Sequence, residues 1–122
     1  MCIRDSISAT GGGAGIDLDG DGITITNNAG ATISGDDVGI LIGNSGSGEN
    51  NSITNGGTIS GATASVNASD ADGPLTFTQL GGGTLAGDFL GSQAATDIFN
   101  ISTGTFTPVS YTRLTLPTIY SV

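Results

Sequence analysis

The chain has no histidine and no tryptophan, and its 122 residues include one cysteine, one methionine and two basic side chains. Each shortage excludes something. A lone Cys2 cannot build a disulfide framework and carries no redox signature. Arg4 and Arg113 are the only cations against 11 acidic residues, giving a net charge of −9. Such a balance argues strongly against nucleic acid as a partner, because phosphate contacts need Lys or Arg. It argues equally against anionic membrane surfaces. Long apolar runs are missing too. The longest, Val38 to Ile42, is interrupted by Gly39, far short of the roughly 20 residues of a membrane-spanning helix. No segment shows helical spacing.

What is present is glycine, 22 of them, with threonine, serine, asparagine and short β-branched clusters. Apolar residues alternate at Ile23/Ile25, Ile40/Ile42, Leu75/Phe77 and Phe99/Ile101, the period of half-buried strands. Clusters of this kind separate the chain from disordered Gly/Ser polymers.

Internal self-similarity decides the architecture. Thr32-Ile33-Ser34-Gly35 recurs as Thr58-Ile59-Ser60-Gly61 and as Thr84-Leu85-Ala86-Gly87, each 26 residues after the last. A looser copy stands at Thr105-Phe106-Thr107. Ile25-Thr26-Asn27-Asn28 and Ile53-Thr54-Asn55-Gly56 lead into the first two units, and Gly15-Ile16-Asp17-Leu18 resembles Gly39-Ile40-Leu41-Ile42. Each period therefore holds two or three short strands separated by Gly/Asn/Ser/Asp turns. The predicted fold is all-β: a right-handed parallel β-helix of about four turns, ~20 Å tall at one inter-strand spacing per turn. Glycines supply left-handed corners. Asn27, Asn28 and Asn55 are placed in plain turns, with a stacked amide ladder as the alternative.

The two ends read differently from the middle. Met1-Cys2-Ile3-Arg4-Asp5 is what ATG TGT ATA AGA GAC encodes, and it resembles the mosaic end of a transposase-type sequencing adapter. Val109 to Thr118, VSYTRLTLPT, resembles the same adapter read from the other strand, with Arg113 where that reading has His. The expected organisation is an adapter-derived 1–6, a β-helical repeat region 7–107 and an adapter-derived 108–122. The middle then keeps every glycine and ten of the eleven acids, losing only Asp5, and has no cation at all.

The phrases ITNNAGATISG, SITNGGTISG and LGGGTLAGDFLGSQAATDIFNISTGTFT resemble the passenger repeats of bacterial autotransporter adhesins and related β-helical exoproteins. That resemblance implies a non-enzymatic scaffold at the extracellular or outer-membrane surface, displayed through a membrane barrel supplied elsewhere. Its partners would be neighbouring β-helix turns of the parent chain and a host or cell-surface ligand reached by the full-length protein. Charge and the lack of a long apolar run add the expectation of no nucleic acid and no membrane insertion by this region.

Three acidic motifs are candidate sites. Asp17-Leu18-Asp19-Gly20-Asp21-Gly22 matches the first half of an EF-hand-type calcium loop, where alternate oxygens and a glycine bend suit a hard cation. Its second half fails, since the twelfth position is Asn28. Two readings stand: Asp17, Asp19 and Asp21 as calcium ligands, or a solvated acidic turn. Asp70-Ala71-Asp72-Gly73 within NASDADGPLTFT resembles bacterial cadherin-like modules. That would make residues 64–107 part of an antiparallel, calcium-binding sandwich, although the 26-residue register argues against it. Gly35-Asp36-Asp37 resembles the paired acids of β-helical pectin-cleaving hydrolases. Those enzymes also use a histidine and a basic residue that residues 7–107 lack, so a turn is expected here, no catalytic residue is assigned, and no enzyme is expected. Gly11–Gly13 and Gly81–Gly83 open no phosphate loop, because no lysine follows.

Overall fold

The computed structural model describes residues 2–3, 5–19, 22–44, 48–101, 111–112 and 119–121. The looser copy at Thr105-Phe106-Thr107, and Asp21, fall outside them. All regular structure among the described residues is strand: β1 (Cys2–Ile3), β2 (Ser6–Ala9), β3 (Ala14–Leu18), β4 (Thr24–Asn27), β5 (Thr32–Gly35), β6 (Val38–Ile42), β7 (Asn51–Asn55), β8 (Thr58–Asn67), β9 (Leu75–Gln79), β10 (Thr84–Leu90), β11 (Ile98–Ile101), β12 (Tyr111–Thr112) and β13 (Ile119–Ser121).

Every pairing between these strands is parallel. The chain coils as a β-solenoid of about four turns. One sheet runs β1-β4-β7-β9-β11-β13, and the other runs β12-β10-β8-β5-β2, with β3 and β6 extending it through β8. Each coil thus contributes one strand to the first sheet and a bent pair, or one long bent strand, to the second. Among the described residues of 64–107 no antiparallel sandwich forms. In that region β8, β9, β10 and β11 each pair in parallel with the strand one coil away.

The repeat sets the register. Thr32 pairs with Thr58 and Thr58 with Thr84; Ile25 pairs with Ile53, and Ile16 with Ile40. A fourth copy stands 26 residues upstream of Thr32, where Ser6-Ile7-Ser8-Ala9 pairs with Thr32–Gly35. Ser6, placed in the flank by sequence, begins this strand.

Turn length absorbs the irregularity between coils. Asn28–Ala31 and Leu80–Gly83 each close with an i to i+3 hydrogen bond (3.0 and 3.1 Å), with Gly30 at φ 82° and Gly82 at φ 83° in third position. These are type II turns, which need a positive φ there. The middle coil instead passes from Asn55 to Thr58 through Gly56-Gly57 alone. The first sheet consequently steps 28 and then 24 residues at the asparagine position, while the second keeps its even step. Gly57 makes the shortcut possible, since a β-carbon there would collide with the Ala31 carbonyl oxygen.

The interior stacks like on like. Ile25, Ile53, Phe77 and Phe99 line up under the first sheet, and Ile33, Ile59 and Leu85 under the second, all buried. Toward the last coils the core turns aromatic. Phe77 stacks on Phe99 (centroids 4.9 Å, 25°), and Phe89 meets both edge-on at 5.2 Å, the arrangement that the ring quadrupole favours.

Candidate functional site

A buried amide ladder runs up the coil axis. Asn27 Nδ2 donates to Asn55 Oδ1 at 2.9 Å, and Asn55 Nδ2 donates to Gln79 Oε1 at 3.1 Å. Each asparagine also donates to the next coil's second sheet, at Thr58 O and Thr84 O (both 3.1 Å). So Asn27 and Asn55 stand in a ladder rather than in plain turns. Its third rung is Gln79, not Asn28, which sits in the type II turn. Parallel pairing stacks residues of equal position, so an amide at one rung meets an amide at the next. The ladder has direction: Asn27 Oδ1 at one end and Gln79 Nε2 at the other are buried without a hydrogen-bond partner among the described residues.

On the outer side of the same strands stand Thr24 and Thr26, Ser52 and Thr54, then Thr76 and Thr78, exposed or half-buried while Ile25, Ile53 and Phe77 between them point inward. Registers Thr24↔Ser52↔Thr76 and Thr26↔Thr54↔Thr78 are unbroken. β4, β7, β9 and β11 carry no ionisable residue. Sequence reasoning reached the strands and their period but not this rank-and-file face. The signal was within reach, since TIT, SIT and TFT precede Asn, Asn and Gln.

The described acids lie elsewhere, on the connections and on the second sheet, where Asp17 and Asp88 stand in β3 and β10. Asp17, exposed on β3, and Asp19 just beyond it line an open cleft with Leu41, Gly43, Asn44 and Asp70. Two motifs, 51 residues apart from Asp19 to Asp70 in the chain, thereby line one cleft. Asn44 Nδ2 donates to Asp72 Oδ1 at 2.9 Å. Among the described residues no three acidic side chains gather closely enough to hold a metal ion.

Asp36 and Asp37 occupy the bend between β5 and β6 and reach in opposite directions. Asp36 Oδ2 accepts from the Gly11 and Gly12 amides (2.5 and 3.3 Å), and Asp37 Oδ1 accepts from Thr63 Oγ1. Both carboxylates tie adjacent coils together.

Asp97, 2% exposed, is a feature that sequence reasoning missed. Its carboxylate accepts from Leu75 N (2.8 Å) and Ser92 N (2.7 Å), while Ser92 Oγ donates to Ala71 O at 3.0 Å. Burial pushes its pKa above the ordinary aspartate value, against the lowering effect of the two backbone amides. Asn51 has the equivalent role lower in the stack, its Oδ1 accepting from Ile23 N at 3.1 Å.

No family model, no curated protein and no solved structure matches this chain.

Proposed function

We propose that the chain is a non-enzymatic scaffold segment of a secreted or cell-surface adhesin-like protein, working at the extracellular or outer-membrane surface. Its role would be mechanical and presentational. Backbone ladders give stiffness, neighbouring coils of a longer stack are its structural partners, and outward faces meet a surface ligand. The observation that supports this most is the even 26-residue register at Thr32, Thr58 and Thr84, by which each coil templates the next. The passenger-like repeats point the same way. The acids that come nearest to a catalytic pair, Asp36 and Asp37, are engaged in bonds between coils.

Single-molecule pulling on the full chain tests the mechanical role. Coils that unravel one at a time give contour increments of ~90 Å, the reach of one 26-residue coil at ~3.5 Å per residue. Beads coated with the chain should adhere to cells or their matrices. Turnover of a polysaccharide such as polygalacturonate, or release of the whole chain in one mechanical step, would overturn the reading.

A further inference from the structure

The outward side of β4, β7 and β9 is a small lattice. Its two columns, Thr24/Ser52/Thr76 and Thr26/Thr54/Thr78, are in unbroken register. Parallel strands set them ~4.8 Å apart from coil to coil and ~6.6 Å apart along each strand. Five of the six side chains are threonine, whose branched β-carbon leaves few rotamers. At the last residue of each strand the inward Asn27–Asn55–Gln79 ladder ties the three strands together; side-chain ladders of this kind hold a sheet flatter than its ordinary twist. In a chain of net charge −9, these three strands have no charged residue.

We propose that this face binds the surface of ice. An ice plane is a rigid, neutral array of water oxygens with repeats close to those of this lattice. Adhesion to it rests on many weak, evenly spaced contacts held in place before binding. Hydroxyls in rank and file supply hydrogen bonds, Thr76 Oγ1 through its lone pairs because its proton goes to Asn50 Oδ1 at 3.1 Å; the threonine methyls limit competing hydration, and waters ordered between the columns cost little to immobilise. The charge pattern fits the same occupant. A carboxylate keeps a tight shell of its own that interrupts a neutral water lattice, and the acids stand on the connections and on the other sheet. A crystalline polysaccharide suits the face less well, because sugar rings pack on coplanar aromatics. Phe77 and Phe99, the aromatics of β9 and β11, are buried against each other. A peptide strand would need a free edge rather than a face. The proposal goes beyond the scaffold reading and stands whether or not the chain is displayed on a cell.

The test uses the full chain in two assays: partition into slowly growing ice, and inhibition of ice recrystallisation. The wild type should enter ice and keep crystals small. Thr54→Tyr, at the centre of the face, should raise the concentration needed about tenfold, as a loss of 1.4 kcal/mol of surface affinity does. Thr58→Tyr, on the other sheet, should leave both readings unchanged. Circular dichroism confirms that each variant keeps its β-signature, and Ser52→Lys replaces Thr54→Tyr should that variant fail to fold. Exclusion of the folded wild type from ice would overturn the proposal. So would equal activity of the central variant, or capture by microcrystalline cellulose or chitin in place of ice.

Discussion

Asn27 and Asn55 stand 28 residues apart in the chain and are joined side chain to side chain, Nδ2 to Oδ1, at 2.9 Å inside the coil stack. A buried amide left without a partner costs about 1–3 kcal/mol, so the middle rung is the vulnerable one. Asn55→Leu removes the acceptor for Asn27 and the donors to Gln79 Oε1 and Thr84 O, and should destabilise the chain by about 3 kcal/mol. Gln79→Met should cost less, because Gln79 Nε2 is already unpaired and Asn55 keeps its bond to Thr84 O. Urea titration followed by circular dichroism ranks the two variants.

Asp97 gives the chain a pH dependence of definite sign. Its folded pKa is raised by burial, so the folded state holds the proton more firmly than the unfolded chain does. That contribution is fully present below the ordinary aspartate pKa and is lost as pH rises through the raised folded value. Thermal stability should therefore climb as neutral solutions are made mildly acidic. Asp97→Asn should flatten this trend, although one of the two amides at Leu75 and Ser92 then loses its acceptor. Melting curves across pH 4 to 7 on both proteins check the sign.

The last coils rest on three rings. Phe89 touches Phe77 and Phe99 edge-on and is fully buried, so Phe89→Ala should cost about 3–5 kcal/mol. Phe89→Leu, which keeps most of the volume, should cost less than half of that. A calorimetric comparison separates cavity formation from general loosening.

Glycine matters by position rather than by number. Gly57→Ala drives a methyl against the Ala31 carbonyl and should destabilise by about 1–3 kcal/mol. Gly13→Ala meets open space at an ordinary φ and should be neutral or stabilising by up to about 1 kcal/mol. Chemical denaturation of both variants provides the check.

Much of this fold was legible because parallel coiling turns a repeat in sequence into contact in space. The Thr-Ile-Ser-Gly copies, Ile25 with Ile53, and Ile16 with Ile40 match as text and pair as strands. Ser6-Ile7-Ser8-Ala9 keeps the spacing without the threonine and so escapes notice. Gln79 is hidden by a change of residue type: a longer amide fills the rung that asparagine fills below. Asp97 carries no repeat signal, since its role depends on how the connection after β10 folds back over Leu75. The acidic cleft is divided in sequence between two motifs, and only the coiling brings Asp17 and Asp19 beside Asp70.

The central claim is that successive coils stack in register, and one cross-linking experiment tests it directly. In a Cys2→Ser background, cysteine pairs at positions 32 and 58 or 58 and 84 face outward on paired strands, within the Cα separation that a disulfide spans. A pair at 32 and 84 is two coils apart, ~9.6 Å. Mild oxidation should close the first two pairs and leave the third open. Closure of the 32/84 pair in the folded monomer, with the adjacent pairs left open, would contradict the stacked solenoid.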